Sequence, residues 1–182
     1  FRLSHLGGKP LSYNNVIDLE CGVGLCEDLE TLGKACVVVK HSNPCGAAVG
    51  DSSKDAYDKA LATDPKSAFG GLVVFNHEIS TVVAEEITQR FYEGVCAPAF
   101  SQAALEILRT KKRLRIITYA KNESPAARFQ RTTLFGDLAQ EFDGAADDPN
   151  SWTTVSGKQG AAEQLKSSLD FAWRCVRWVK SN

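Results

Sequence analysis

Val37-Val38-Val39-Lys40-His41-Ser42-Asn43-Pro44-Cys45-Gly46 opens as a buried strand and closes as a turn. Three β-branched valines behind Ala35-Cys36 form an apolar run too short for a helix, and it stops abruptly at two cationic or titratable side chains. Pro44 biases Asn43 away from the α region and Gly46 permits a positive φ, so the chain is expected to turn sharply after His41. Lys40 and His41 are thereby presented at a strand end. In open α/β sheets ligands bind outside the carboxyl ends of strands, which makes this pair the first place to look for chemistry. A solvated strand end would carry the same residue types.

On the amino-terminal side, Phe1 to Asn15 is polar, with Gly7-Gly8 and Pro10 marking a loop. Asn14 or Asn15 can cap a helix to about Leu32, because Val16, Leu19, Val23, Cys26 and Leu29 recur at three- and four-residue steps before Gly33. Gly22 and Gly24 each cost such a helix about 1 kcal/mol relative to alanine, so a kink is expected there.

On the carboxyl-terminal side, Ser52 or Ser53 caps a short helix carrying Ala56, Tyr57, Ala60 and Leu61. Thr63 to Gly71 connects it to a strand, Leu72-Val73-Val74-Phe75, and Ser80 opens a helix to about Phe91. Gly94-Val95-Cys96-Ala97 is a strand stopped by Pro98, and Ser101 caps a helix through Leu108. The basic run Arg109, Lys111, Lys112 and Arg113 complements the negative end of that helix. Leu114 to Tyr119 reads as a strand, Asn122 to Gln130 as a loop, and Leu134-Phe135 with Leu138 to Phe142 as an edge hairpin. After an acidic loop, Gly144 to Ser151, Gly160 precedes an amphipathic helix to about Val179 with Leu165, Leu169, Ala172, Trp173 and Val176 on one side. Trp173 and Trp178 are expected to be core anchors. Strands alternating with helices imply an α/β fold, a mainly parallel sheet covered on both faces.

A chain of 182 residues with 43% hydrophobic content can bury one substantial core. A net charge of −1 argues against a nucleic-acid partner, and no apolar run is long enough for a membrane span, which takes about 20 residues. Phe1 is not a natural start and methionine is absent, which reads as a fragment or a trimmed chain. The six cysteines are scattered without a paired framework, so they are expected to be reduced thiols in a cytoplasmic protein. A deaminase-type zinc site is not expected. Pro44-Cys45 lacks the second cysteine of a Pro-Cys-x-x-Cys, and His77-Glu78 lacks the spacer of a His-x-Glu.

Lys-His-x-Asn-Pro-x-Gly after an apolar strand resembles the signature of the aminoimidazole carboxamide ribonucleotide (AICAR) transformylases. Other stretches follow in that family's order: Leu11-Ser12-Tyr13-Asn14-Asn15, Asp64-Pro65-Lys66-Ser67-Ala68-Phe69-Gly70-Gly71, Glu93-Gly94-Val95-Cys96-Ala97-Pro98 and Val179-Lys180-Ser181-Asn182. The resemblance implies a three-layer α/β/α fold of cytidine-deaminase-like type, with residues 1–182 forming the first part of the transformylase domain. The family's preceding cyclohydrolase domain, its phosphate-holding segment and the second transformylase half fall outside these residues. The piece alone is therefore expected to bind weakly and to show no turnover.

The resemblance further implies formyl transfer from 10-formyltetrahydrofolate to the 5-amino group of AICAR, without a metal, in purine biosynthesis, by a homodimer. Such a reaction needs a proton acceptor, oxyanion stabilisation and a proton for the departing folate nitrogen. Histidine suits proton shuttling near neutrality and a cationic lysine suits an oxyanion or proton delivery, so His41 and Lys40 are the expected catalytic pair, with the division between them open. By resemblance Gly70 lies near the nucleotide, Glu93 takes the ribose hydroxyls and Asn182 holds the carboxamide, while Asn43, Pro44 and Gly46 form the supporting loop. The alternative is a non-catalytic structural or assembly subunit of a larger complex that keeps the fold. The short chain, the missing second half and the glycines Gly22 and Gly24 favour that alternative, and the intact Lys40-His41 pair opposes it.

Overall fold

The computed structural model describes residues 1–122, 128–141, 143, 147–157 and 159–180. The valine run forms β2 (Lys34–Lys40), in which Ala35 through Val39 are fully buried. It is buried because it lies inside a six-stranded sheet with helices on both faces. Around it run β1 (Arg2–Gly7), α1 (Tyr13–Asp28), β3 (Asn43–Gly50), α2 (Ser53–Thr63), β4 (Leu72–Phe75), α3 (Thr81–Thr88), β5 (Gly94–Ala97), α4 (Gln102–Arg109) and β6 (Arg115–Ala120). A separate pair, β7 (Arg128–Thr133) and β8 (Gly136–Glu141), precedes α5 (Gln159–Val176).

The sheet order is β1-β6-β5-β4-β2-β3. It is mixed, not mainly parallel: β4–β5 and β5–β6 are parallel, whereas β1–β6, β2–β4 and β2–β3 are antiparallel. The reason lies in the connections. A two-residue turn joins β2 to β3, which only antiparallel neighbours allow, and α2 then carries the chain across β2 to β4.

Side chains alternate across this sheet with period 2. Cys36, Val38, Val73, Phe75, Val95 and Ile116 pack on the face covered by α2, α3 and α4. Val37, Val39, Leu72, Val74, Cys96 and Ile117 pack on the face covered by α1, joined there by Phe171, Cys175 and Trp178.

Three expected features are corrected. Phe1 to Asn15 is not all loop: β1 pairs with β6, and as a partly exposed edge strand it has no apolar run to announce it. Asn14 and Asn15 do not cap α1; Ser12 does, in a capping box where Ser12 Oγ accepts from Asn15 N at 3.2 Å and Asn15 Oδ1 accepts from Ser12 N at 3.0 Å. Nor is α1 interrupted at its glycines. A Cβ on Gly22 would stand 2.5 Å from Val74 Cγ2, and one on Gly24 would stand 1.9 Å from the ring of Trp178. The two glycines let the sheet and the last aromatic residue approach the helix.

The last third departs further. β7 and β8 form their own two-stranded ladder, with Leu134 and Phe135 fully exposed at its turn, so it is not an edge of the main sheet. α5 does not bury the stripe of Leu165, Leu169, Trp173 and Val176, all of which are exposed. It turns Phe171 and Cys175 inward instead, anchored by Arg174 on the carbonyl of Asp28 and Thr31 Oγ1. Trp178 is the core anchor expected of it, with Nε1 donating to Asp28 Oδ2 at 2.7 Å, while exposed Trp173 stacks edge-on against Trp152.

Candidate active site

The β2–β3 turn consists of His41 and Ser42, since Lys40 pairs with Asn43. Both central residues have positive φ, 55° and 62°, as a two-residue type I′ hairpin requires. Pro44 and Gly46 therefore lie in β3 and not in the turn. Pro44 is tolerated because β3 is an edge strand and is bulged beside it, with Cys45 as the extra residue across from Val38 and Val39. Gly46 admits the backbone of α2, where a Cβ would stand 2.1 Å from the carbonyl oxygen of Ala60.

The hairpin tip is held from outside. Ser42 N donates to Asp18 Oδ1 on α1 at 2.7 Å, Asn43 Nδ2 donates to the His41 carbonyl at 3.2 Å, and Asn43 Oδ1 accepts from Lys180 N at 2.9 Å. His41 itself is exposed.

β2 runs antiparallel to β4, so its last residues meet the beginnings of the parallel strands: Val39 pairs with Leu72, Leu72 with Gly94, and Gly94 with Arg115. Lys40, Gly70, Glu93 and Arg115 thus line one edge of the sheet. That edge is the carboxyl end of β2, as expected for Lys40 and His41, and the amino end of β4, β5 and β6, because β2 runs antiparallel to β4. Lys40 Nζ donates to the carbonyl of Phe69 at 2.9 Å. Gly70 has φ of +75°, its N–H donates to the Phe91 carbonyl at 2.9 Å, and Glu93 N donates to the Gly71 carbonyl at 2.9 Å. The exposed rings of Phe69 and Phe91 stand 5.1 Å apart above this brace.

The Glu93 carboxylate is half exposed and tethered on one oxygen. Oε2 accepts from Asn15 Nδ2 at 2.9 Å and lies 3.6 Å from the Arg115 guanidinium. Arg115 is held in turn by the carbonyls of Pro10, at 2.9 Å, and Glu93, at 3.3 Å. Asn15, Asp18 and Arg115 had no assigned place in the site from sequence; only the Leu11–Asn15 motif pointed to that region. Asn182 lies outside the described residues.

At the opposite end of the sheet, His77 Nδ1 sits 2.9 Å from Asn76 Oδ1, and burial, with Lys34 nearby, pushes its pKa down to about 4. Among the described residues no group of three or more His, Cys, Asp or Glu could hold a metal ion, and no helix is long and apolar enough to cross a membrane. All six cysteines are free thiols, and burial raises Cys26 and Cys36 well above the ordinary thiol range.

Residues 1–182 match, along their whole length, the family described as AICARFT/IMPCHase bienzyme. The chain belongs to the AICARFT/IMPCHase bienzyme family. It is 42% identical over 177 residues to the bifunctional purine biosynthesis protein PurH of Desulfitobacterium hafniense (strain DSM 10664 / DCB-2), covering 96% of this chain and 34% of that protein. The PurH protein of Thermosynechococcus vestitus is likewise 42% identical over 179 residues, covering 97% of this chain and 34% of its own length. The chain thus spans about a third of the length of the curated relatives it matches. Among solved structures, Acinetobacter baumannii RibD is similar with a TM-score of 0.45 at 16% identity, over 58% of this chain and 36% of that one. A dCMP deaminase from the cyanophage S-TIM5 is similar with a TM-score of 0.44 at 10% identity, over 58% of this chain and 99% of that one.

Within the bienzyme family, this chain carries the Lys-His pair on a strained hairpin tip pinned by Asp18, beside a glycine turn and a tethered carboxylate.

Proposed function

We propose that this chain supplies part of the active site of an AICAR transformylase, which moves a formyl group from 10-formyltetrahydrofolate to the 5-amino group of AICAR. The observation that carries the reading is the meeting of Lys40, Phe69-Gly70-Gly71 and Glu93 along one sheet edge, next to the His41 turn. In the reaction the amine attacks the formyl carbon, forming the new N–C bond and a tetrahedral oxyanion. Collapse of that oxyanion breaks the bond to folate N10. The amine proton leaves and N10 gains one. His41 is suited to the proton transfers, and the Lys40 ammonium, aimed by the Phe69 carbonyl, to the oxyanion or the leaving nitrogen. Glu93 takes the ribose hydroxyls, Gly70 lets backbone approach the nucleotide, Asn43, Pro44 and Gly46 support the hairpin, and Asn182 holds the carboxamide.

We infer also that residues 1–182 are the first part of the transformylase domain, of cytidine-deaminase-like fold, in a cytoplasmic homodimer that carries the cyclohydrolase on the same polypeptide. The family match and the two helix-covered faces of the sheet support this. The glycines that suggested a purely structural subunit, Gly22 and Gly24, have another explanation: they serve packing against Val74 and Trp178.

The test is AICAR-dependent conversion of 10-formyltetrahydrofolate to tetrahydrofolate by the full chain carrying this sequence. Turnover that falls by about 10²-fold or more in Lys40→Ala and in His41→Ala supports the reading; wild-type turnover unaffected by both substitutions overturns it.

A further inference from the structure

We propose that Asn15 is a positioning residue that aims the Glu93 carboxylate at the cis-diol of a ribose. This inference rests on the nucleotide reading above and deepens it, because that reading gives Glu93 a ligand but not the means by which an exposed carboxylate is held to it.

Asn15 is only 2% exposed, the one buried polar residue among the described core positions. Its orientation is forced. Oδ1 accepts from both Ser12 N at 3.0 Å and Ser12 Oγ at 2.9 Å, so a flipped amide would set its NH2 group against the Ser12 N–H donor. Nδ2 therefore has to point away from the cap, and there it donates to Glu93 Oε2 at 2.9 Å. The Arg115 guanidinium approaches the same oxygen at 3.6 Å. Both tethers fall on Oε2, which leaves Oε1 as the oxygen for a ligand's hydroxyl donors. The Glu93 backbone is fixed as well, donating to Gly71 O at 2.9 Å and accepting from Arg115 N at 3.1 Å. A long, flexible side chain is thereby reduced to one presentation. Loss of its rotamer freedom is already met by folding and need not be met again on binding.

The decisive variant is Asn15→Asp in the full chain. It keeps an oxygen for the Ser12 cap and replaces only the donor, setting a carboxylate oxygen against Glu93 Oε2. Glu93→Gln added to it restores a hydrogen bond of reversed polarity, in which the new amide nitrogen donates to the carboxylate introduced on α1 while the amide oxygen still faces the ligand.

The expected result is an AICAR KM raised about tenfold or more in Asn15→Asp, with kcat and the 10-formyltetrahydrofolate KM within about threefold of wild type, and most of the loss recovered in the double variant. Preference for the ribonucleotide over its 2′-deoxy analogue should shrink in the single variant and return in the double. A merely structural Asn15 would instead lower the melting temperature or kcat without a rescue by Glu93→Gln, which overturns the proposal. Wild-type turnover with an unchanged AICAR KM in Asn15→Asp overturns the positioning role alone. Absence of AICAR-dependent turnover in the wild-type full chain overturns the nucleotide reading, and the positioning role with it.

Discussion

Lys40 Nζ donates a 2.9 Å hydrogen bond to the carbonyl of Phe69, tying the end of β2 to the turn that begins β4. The direction of the ammonium therefore depends on where Gly70, with φ of +75°, sets that peptide. Gly70→Ala forces an L side chain into this region at a cost of about 1–2 kcal/mol, and relief of that strain shifts the Phe69 carbonyl. The expected outcome is a lower melting temperature together with a raised AICAR KM, measured on the same preparation.

The hairpin tip makes a second prediction. Ser42 holds φ at 62° without being glycine, and its N–H is bound by Asp18. Ser42→Val should destabilise the full chain by about 1–2 kcal/mol, since a β-branched residue tolerates this region poorly. Ser42→Gly should leave stability level or raise it by up to about 1 kcal/mol. Urea unfolding of the two variants checks the difference in sign.

Packing on α1 gives the third. Trp178 is fixed by its Nε1 bond to Asp28, so its ring cannot readily retreat from a methyl group 1.9 Å away. Gly24→Ala gains about 1 kcal/mol in helix propensity and loses about 1–3 kcal/mol in overpacking, for a net loss. Thermal unfolding should show a lower midpoint, and quenched or shifted Trp178 fluorescence should report the displaced ring.

His77 supplies a pH dependence. Its folded pKa, about 4, lies below the ordinary histidine value of 6.5, so the unfolded chain takes up this proton first as pH falls. Its contribution to stability is present above pH 6.5 and is lost progressively toward pH 4. Denaturation midpoints measured across that window should fall with pH in the wild type, and less steeply in His77→Gln.

Much of the fold can be read from the chain because the buried strands announce themselves. β2, β4, β5 and β6 are short apolar runs between turn residues, and Ser52 and Ser101 accept the cap bonds their positions suggest. β3 could not be read the same way. Its Pro44, Gly46 and Gly50 look like loop chemistry, yet Gly46 and Gly50 are there so that the α2 backbone can lie against the strand. Strand direction was equally hidden, because it depends on which neighbour a crossover reaches and not on the strand's own residues. α5 carries two stripes compatible with a helical period, and only the tertiary contact selects Phe171 and Cys175 over Leu165 and Leu169.

For the site, Lys40, His41, Gly70 and Glu93 stand out through their motifs, and the structure gathers the neighbours Lys40, Gly70 and Glu93 on one edge. Asn15 and Arg115 were hidden because their meaning lies in a partner far along the chain: no local pattern ties a capping-box asparagine to the carboxylate that precedes β5.

The most direct measurement is the rate of formyl transfer to AICAR by the full chain and by its His41→Ala variant at saturating 10-formyltetrahydrofolate. Turnover is predicted in the wild type and should fall by about 10²-fold or more in the variant, with the melting temperature nearly unchanged because His41 is exposed. A variant that transfers formyl groups as fast as the wild type would contradict a catalytic role for the hairpin tip.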